Sequence, residues 1–307
     1  MISTDTTRPF STTLTLDTAF NIYIRDRGRH LAVPERITAA QRHLYMNLPG
    51  GRSITCDRIN PAMIRDYIAK RKTKGRASST IRRELVTLKA VLRHCWKEEL
   101  LDRVPFIPLP PESPPLDRVL TDHELKRLLV EVKKTRHVWL FTMIAIHTAA
   151  RKSAITGLTW DRVDLQNNLI DLNNPALKGK PKPAAIMPIN PALREILMAE
   201  YERSSSEFVI SYGGGGILRI DQAFRRAARR AALSGATPHT IRHTMATALA
   251  KEGVPLIEIA RFLGHRDSRT TERIYIKYQP DYLKNASDRA AAKTNALVSE
   301  LADAAVE

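Results

Sequence analysis

Only two cysteines, Cys56 and Cys95, occur in the 307 residues. That is too few for a disulfide framework or a cysteine-based zinc site, so each is expected to act as a small buried hydrophobe. Aromatic residues are also sparse, at 6% of the chain. No apolar run is long enough to span a bilayer, and the opening residues from Met1 to Arg8 lack the apolar stretch of a signal peptide. Acid is the remaining shortage. Against 49 Lys and Arg there are 32 Asp and Glu, leaving a net charge of +17 and an isoelectric point near 10.1. These shortages argue against a secreted disulfide scaffold and a membrane-spanning protein. The expectation is a reduced, soluble, cytoplasmic protein with no membrane partner.

The excess of Lys and Arg runs through the chain instead of sitting in one tail, which points to a folded basic surface. Nucleic acid is the leading partner for such a surface. An anionic membrane surface would be the other candidate, but no segment shows the basic amphipathic character it requires.

Six prolines fall within residues 104–115. They forbid a helix and favour an extended, semi-rigid connector. The expected division is therefore a helical domain over 13–103, a linker over 104–116, a second domain over 117–290 and a tail helix over 291–307. In the first domain a loose helical period runs through Leu14, Ala19, Phe20 and Tyr23, and Pro61 suits the first turn of a helix from Ala62 to Lys70. Ser78 and Ser79 can cap the strongest segment, where Ile81, Leu85, Leu88, Leu92 and Cys95 make one apolar stripe. The opposite face carries Arg82 and Arg83, and Lys74 and Arg76 lie just before it. With so little acid nearby, Lys74, Arg76, Arg82 and Arg83 are candidate phosphate contacts.

The second domain opens on Thr121 and Glu124 at capping-box spacing. The segment from Val138 to Thr148 is apolar almost all round and should be buried. Strands are expected at Leu169 to Leu172, at Ala184 to Ile189 and at Phe208 to Ile210, with helix for most of the rest. The fold class is thus mainly α with a small antiparallel sheet in the second domain. Gly213 to Gly216 lacks the Lys-Ser/Thr of a phosphate-binding loop and reads as a flexible loop. After it, Arg225, Arg226, Arg229 and Arg230 form two like-charged i, i+4 pairs, which an anionic groove would relieve. Arg225 and Arg226 join the candidate DNA contacts.

The chemistry concentrates between His239 and Tyr275. Thr237 and Pro238 suit the N-cap and first position of a helix, in which Ile241, Met245, Ala248 and Leu249 are expected to form the core stripe. His239 and Arg242 then sit in its first turns, where backbone N–H groups and the dipole favour an anion. His239 and His243 could also be an i, i+4 metal pair, but no acidic residue accompanies them. A second helix should run from Pro255 to Leu263, with Gly264 as its left-handed terminator and His265 at a fixed exit. Tyr275 lies ten residues on, among Arg266, Arg269 and Arg273, which favour its phenolate and neutralise a phosphate. Tyr278 and Tyr282 are rival nucleophiles.

The tract His239-x-x-Arg242-His243, Leu263-Gly264-His265 and Tyr275 resembles the second signature box of the tyrosine recombinase (phage integrase) family. Arg151, in the run from His147 to Asp164, resembles the first box, and the Lys178 turn between two expected strands resembles the family's β-hairpin lysine. The resemblance spans the second domain, and the helical first domain and proline linker fit the family's core-binding domain. It implies a two-domain clamp on double-stranded DNA that works as a homotetramer. It further implies that Tyr275 attacks the scissile phosphate to give a 3′-phosphotyrosyl intermediate. Arg151 and Arg242 would hold the non-bridging oxygens, His265 would support the same transition state, His239 would assist proton transfer, and Lys178 would protonate the leaving oxygen. No metal or nucleotide cofactor is implied. Three features depart from the pattern. Ala154 stands where most relatives carry an acid, the interval from His265 to Tyr275 is ten residues where nine is common, and Lys178, Lys180 and Lys182 all fall in the turn. A topoisomerase-like relaxing enzyme and a DNA-binding protein without catalysis are the competing readings. Residues 1–12 are expected to be too short for a separate arm-binding domain.

Overall fold

The computed structural model describes residues 14–28, 35–112, 118–173, 185–217, 219–265, 267–279, 284 and 287–295. These form two compact units, the first ending and the second beginning in the proline-rich stretch. The lysine turn with Lys178, Lys180 and Lys182, Arg266, Tyr282 and residues 296–307 of the expected tail helix lie outside the described residues.

Among the described residues the first unit holds four α-helices: α1 Leu16–Arg27, α2 Glu35–Asn47, α3 Pro61–Thr73 and α4 Ser78–Lys97. Asn60 caps α3 by accepting from the Met63 N–H at 3.1 Å, with Pro61 in the first turn. The cap of α4 differs from expectation. Ala77 occupies that position and Ser78 and Ser79 are already helical, so the helix starts without a side-chain acceptor. Its stripe of Ile81, Leu85, Leu88, Leu92 and Cys95 is fully buried. Helix α2 has no counterpart in the sequence reading. It packs on α4 mainly through Ile37, Ala40 and Leu44, and alanine adds little to an apolar pattern.

Arg71 and Glu84 form a buried ion pair in this unit. Arg71 donates through Nε to Glu84 at 3.0 Å and through a second nitrogen to the other oxygen, while the Tyr67 hydroxyl donates to Glu84 at 2.6 Å. Removing one charge of such a pair costs about 3–5 kcal/mol, because its partner stays buried. Arg71 is therefore structural. The described part of the proline stretch, residues 104–112, forms neither helix nor strand, yet it is anchored. Ile107 is buried in the first unit's core, and Val104 and Leu109 pack against it. Arg82 donates to the Pro110 carbonyl at 2.7 Å and pairs with Glu112 at 3.0 Å.

The second unit contains α5 Asp122–Val132, α6 Arg136–Thr148, α7 Lys152–Thr156, α8 Pro191–Tyr201, α9 Asp221–Arg230, α10 Pro238–Lys251, α11 Leu256–Phe262 and α12 Arg269–Tyr275. Its sheet is antiparallel, with β1 Val163–Asp164, β2 Leu169–Asp171 and β3 Ile186–Pro188 in sequential order. Ile170 pairs with Met187, and both are buried. In sequence the three lysines fall between β2 and β3. The strand expected at Phe208 to Ile210 is reduced to a single bridge between Phe208 and Thr159. The paired residues follow it, as β4 Ser211–Tyr212 and β5 Gly215–Gly216. Gly213 and Gly214 have φ of 60° and 83°, the conformation a tight hairpin turn demands. That segment is a hairpin and not a loose loop. The main core gathers Phe141, Ile155, Ile170, Phe224 and Ile241 from α6, α7, β2, α9 and α10.

Candidate active site

Helix α6 is apolar because it is buried, and its end sets the first arginine. The Thr148 hydroxyl donates to the Ile144 carbonyl at 2.6 Å and accepts from the Ala150 N–H at 3.2 Å. Ala149 closes the helix at φ 45°, a left-handed conformation uncommon for a residue with a Cβ. That twist leaves the Ala149 carbonyl available to a side chain from α10. Arg151 follows as the N-cap of α7 and donates to the Gly264 carbonyl at 3.2 Å.

Helix α10 starts as its sequence dictates, with Thr237 capping and Pro238 in the first turn. The Thr240 hydroxyl accepts from the Thr237 N–H at 3.0 Å. Its burial is not the expected stripe. Ala248 is exposed, while Thr240, Arg242, His243, Thr244 and Thr247 are buried along with Ile241, Ala246 and Ala250. Such a helix is surrounded on most sides, and its polar residues must find partners inside. Arg242, 4% exposed, donates to the Ala149 and Leu263 carbonyls, both at 2.7 Å. Burial lowers its pKa to about 10, with the neighbouring Arg151 charge adding to the effect. Burial also lowers that of Arg151. Among the described residues no carboxylate forms a salt bridge with Arg242. Ala154 is buried in the apolar core. The site therefore holds two closely placed cations that carbonyl dipoles partly stabilise.

Gly264 terminates α11 at φ 62°, and the His265 N–H returns to the Ala260 carbonyl at 2.9 Å. This is the glycine-terminated ending that the sequence suggested. It aims the half-buried His265 back at α10. Its Nε2 lies 3.0 Å from Arg242 and its Nδ1 lies 2.7 Å from the Thr271 hydroxyl. Arginine can only donate, so Nε2 must be an acceptor. The proton is then on Nδ1, which donates to Thr271. Two neighbours thus define a neutral tautomer.

Thr271 and Tyr275 are one turn apart on α12, and both are buried. The Tyr275 ring joins a small core with Ala149, Ala246, Ala250, Ile259 and Leu263. Its hydroxyl meets Nδ1 of the buried His243 at 3.1 Å, with the ring centroids 5.3 Å apart. The structure so brings Arg151, Arg242, His265 and Tyr275 to the junction of α7, α10, α11 and α12. His239 is in the first turn of α10 and exposed. Tyr278, a rival nucleophile, sits in the short turn after α12 with the Lys277 ammonium 4.9 Å from its ring. His243 was weighed from sequence only as half of a metal pair and Thr271 not at all, because neither contact follows from helical periodicity.

The remaining candidates lie on surfaces. Arg225 and Arg226 are exposed on α9. Arg230 pairs with Glu131 at 2.7 Å, so one member of the like-charged pairs has a counter-ion. In the first unit Arg76 and Arg83 are exposed, and Lys74 reaches the Asn47 side chain at 2.8 Å. Arg82 is engaged with Pro110 and Glu112, as above. Among the described residues no group of three His, Cys, Asp or Glu could hold a metal ion, and no helix is long and apolar enough to cross a membrane.

Residues 118–281 match the model of the phage integrase family. Tyrosine recombinase XerC of Thermodesulfovibrio yellowstonii is 26% identical over 266 residues, covering 76% of this chain and 83% of the relative. Tyrosine recombinase XerA of Thermococcus kodakarensis is 28% identical over 234 residues, covering 73% and 79%. Among solved structures, the Tn1549 transposon integrase in complex with a circular intermediate DNA has the same fold. Its TM-score is 0.74 at 18% identity, over 90% of this chain and 99% of that one. The lambda integrase tetramer bound to a Holliday junction has a TM-score of 0.70 at 15% identity, over 89% and 79%.

Proposed function

The chain belongs to the phage integrase family and is a tyrosine-type site-specific DNA recombinase, and we propose that it cuts and rejoins DNA through a 3′-phosphotyrosyl intermediate without metal or nucleotide. The observation that carries this reading is the buried Arg242, within electrostatic reach of both the half-buried Arg151 and the buried Tyr275. A cation withdrawn from water is costly unless an anion compensates it. A DNA phosphate supplies that charge, and at an effective dielectric of about 20 each close contact is worth about 4 kcal/mol.

In the proposed reaction the two guanidinium groups hold the non-bridging oxygens and stabilise the charge that builds on them, a preorganised electrostatic effect. Tyr275 attacks phosphorus and the 5′ oxygen leaves. Lys178, in the turn between β2 and β3, is our choice for the acid that protonates it. His265 supports the same phosphate once Arg242 turns from its Nε2 to the substrate, and His239, at the anion-favouring start of α10, assists transfer of the Tyr275 proton. The link to Tyr275 conserves the bond energy until a second DNA end attacks, so no external energy source enters. Lys74, Arg76, Arg83, Arg225 and Arg226 are assigned to the DNA backbone, with Arg82 joining if it leaves Glu112. We assign residues 13–103 to DNA binding, 104–116 to the linker, 117–290 to catalysis and 291–307 to a tail that docks between copies. A homotetramer on double-stranded DNA is the working assembly, as in the lambda integrase complex.

The test uses a nicked duplex built on the sequence that the protein itself selects from a randomised DNA pool. With EDTA present and no nucleotide, the parent chain should form a covalent adduct on a denaturing gel, and Tyr275→Phe should form none. An adduct in Tyr275→Phe, or one that needs a divalent ion, would contradict the mechanism.

A further inference from the structure

An ion pair holds helix α9 at each of its ends. At the C-terminal end Arg230 meets Glu131 of α5 at 2.7 Å. At the N-terminal end Asp221 meets Lys152 of α7 at 2.6 Å. Lys152 directly follows Arg151, and the stretch of α9 between its two pairs carries the exposed Arg225 and Arg226. We propose that Lys152 and Asp221 are positioning residues for the reaction. Their pair ties the start of the DNA-contacting helix to the backbone that carries Arg151, so DNA bound along α9 fixes the place of a catalytic arginine. This rests on the assignment of Arg151 to the scissile phosphate and of Arg225 and Arg226 to the DNA backbone.

The local structure explains why Arg151 needs such a tie. Helix α7 spans Lys152–Thr156, about one and a half turns. A helix that short has little rigidity of its own and takes its place from what holds its ends. Near its C-terminal end Ile155 is in the apolar core. At its N-terminal end Lys152 has the Asp221 carboxylate. The Arg151 carbonyl accepts from the Ala154 N–H at 2.9 Å and from the Ile155 N–H at 3.2 Å, so the arginine backbone moves with α7. Asp221, on the other side, is in the first turn of α9, where the helix dipole favours a carboxylate. Three residues on, the fully buried Phe224 packs edge-on against Phe141 of α6, with ring centroids 6.4 Å apart. Helix α9 is thus a firm anchor, and Lys152 is the strap from it to α7.

The Lys152 and Asp221 side chains are 39% and 33% exposed. A pair that open to water is screened and adds little to stability. Its worth lies in direction. The Arg151 guanidinium must meet a non-bridging oxygen as charge builds there, and a misplacement of about 1 Å in such a group can slow a reaction about a hundredfold. The pair at the other end of α9 makes an internal comparison. Arg230 and Glu131 join α9 to α5, which lies outside the junction of α7, α10, α11 and α12, so breaking that pair leaves the strap to Arg151 in place.

The test is the rate of adduct formation at saturating nicked duplex, in the full chain, with DNA affinity and melting temperature measured alongside. Asp221→Asn keeps the side chain's shape and removes a negative charge from a DNA-contacting helix. General electrostatics alone would then tighten binding and leave cleavage as fast or faster. The strap predicts the opposite for the rate, which should fall about tenfold or more, with affinity equal or higher and melting temperature near that of the parent. Asp221→Glu should recover most of the rate, and Glu131→Gln should match the parent. Adding Lys152→Met to Asp221→Asn should slow the reaction no further, because either change breaks the same link. Combining Asp221→Asn with Arg151→Lys should likewise be no slower than Arg151→Lys alone. If Asp221→Asn does not fold, Asp221→Ser, which also suits a helix start, takes its place in each measurement. An Asp221→Asn rate at or above that of the parent would overturn the proposal, as would losses that multiply in either double variant. Equal slowing by Glu131→Gln would overturn it too, since any loosening of α9 would then suffice. A parent chain that forms no adduct would instead overturn the reading of the site on which the proposal rests.

Discussion

Arg242 can only donate, and that single fact orders the protonation of the residues around it. Its contact with His265 sends the imidazole proton to Nδ1 and on to Thr271. When a phosphate draws Arg242 away, His265 must present Nε2 to that phosphate as a donor. The Thr271 hydroxyl can accept or donate, so it can hold the ring through the change. Thr271→Val should slow adduct formation by about tenfold, the cost of one lost buried hydrogen bond. Thr271→Ser should remain close to the parent, with DNA affinity unchanged in both. Equal losses in the two variants would show that packing, and not the hydroxyl, matters. Arg242 and His265 were legible from their places at a helix start and after a glycine terminator, and Arg151 from its resemblance to a family signature box. His243 and Thr271 stayed obscure because one histidine or threonine is ordinary until a partner from another helix meets it.

Elements were readable where their signals are local. Thr121 and Glu124 form the reciprocal cap that their spacing indicates, with the Glu124 N–H bonding back to Thr121 at 3.2 Å and the Thr121 N–H reaching Glu124 at 3.0 Å. Arg118 also binds the Glu124 carboxylate and, as the largest influence, holds its pKa down to about 2. A depressed carboxylate contributes stability above its unfolded pKa, about 4.3, and loses it as pH falls through the folded value. Glu124→Gln should therefore melt below the parent at pH 7, with the gap closing between about pH 4.5 and pH 2. A gap independent of pH would point to shape instead of charge. Helix α10 was misread for a different reason. Periodicity finds a helix that buries one face, whereas α10 buries polar residues on most of its circumference. Helix α2 went unread because its apolar positions are few and partly alanine. The glycine hairpin was missed because Gly213 and Gly214 signal a turn, while the two-residue strands beside them are too short to show a pattern.

At the scale of the whole molecule, the charge of +17 was the earliest pointer to a polyanionic partner, and the local counter-ions refine it. Arg226 on α9 is exposed, whereas Arg230 pairs with Glu131. Each phosphate contact adds about one to the slope of affinity against salt on logarithmic axes. Arg226→Ala should weaken binding similarly for all DNA sequences and reduce that slope by about one, while Arg230→Ala should change it little. Equal slopes for both variants and the parent would remove α9 from the DNA surface. The division into two units was foreshadowed by six prolines, but the anchoring of Ile107 in the first core was not, since a proline-rich run gives no indication of what its apolar residues touch. All these scales meet in the fate of one phosphate. Digesting the covalent adduct formed on the nicked duplex and identifying the modified peptide by mass spectrometry tests the account most directly. The expected result is a nucleotide joined to the Tyr275 oxygen, in protein kept free of divalent ions. A nucleotide on Tyr278, on Tyr282 or on any other side chain would contradict it.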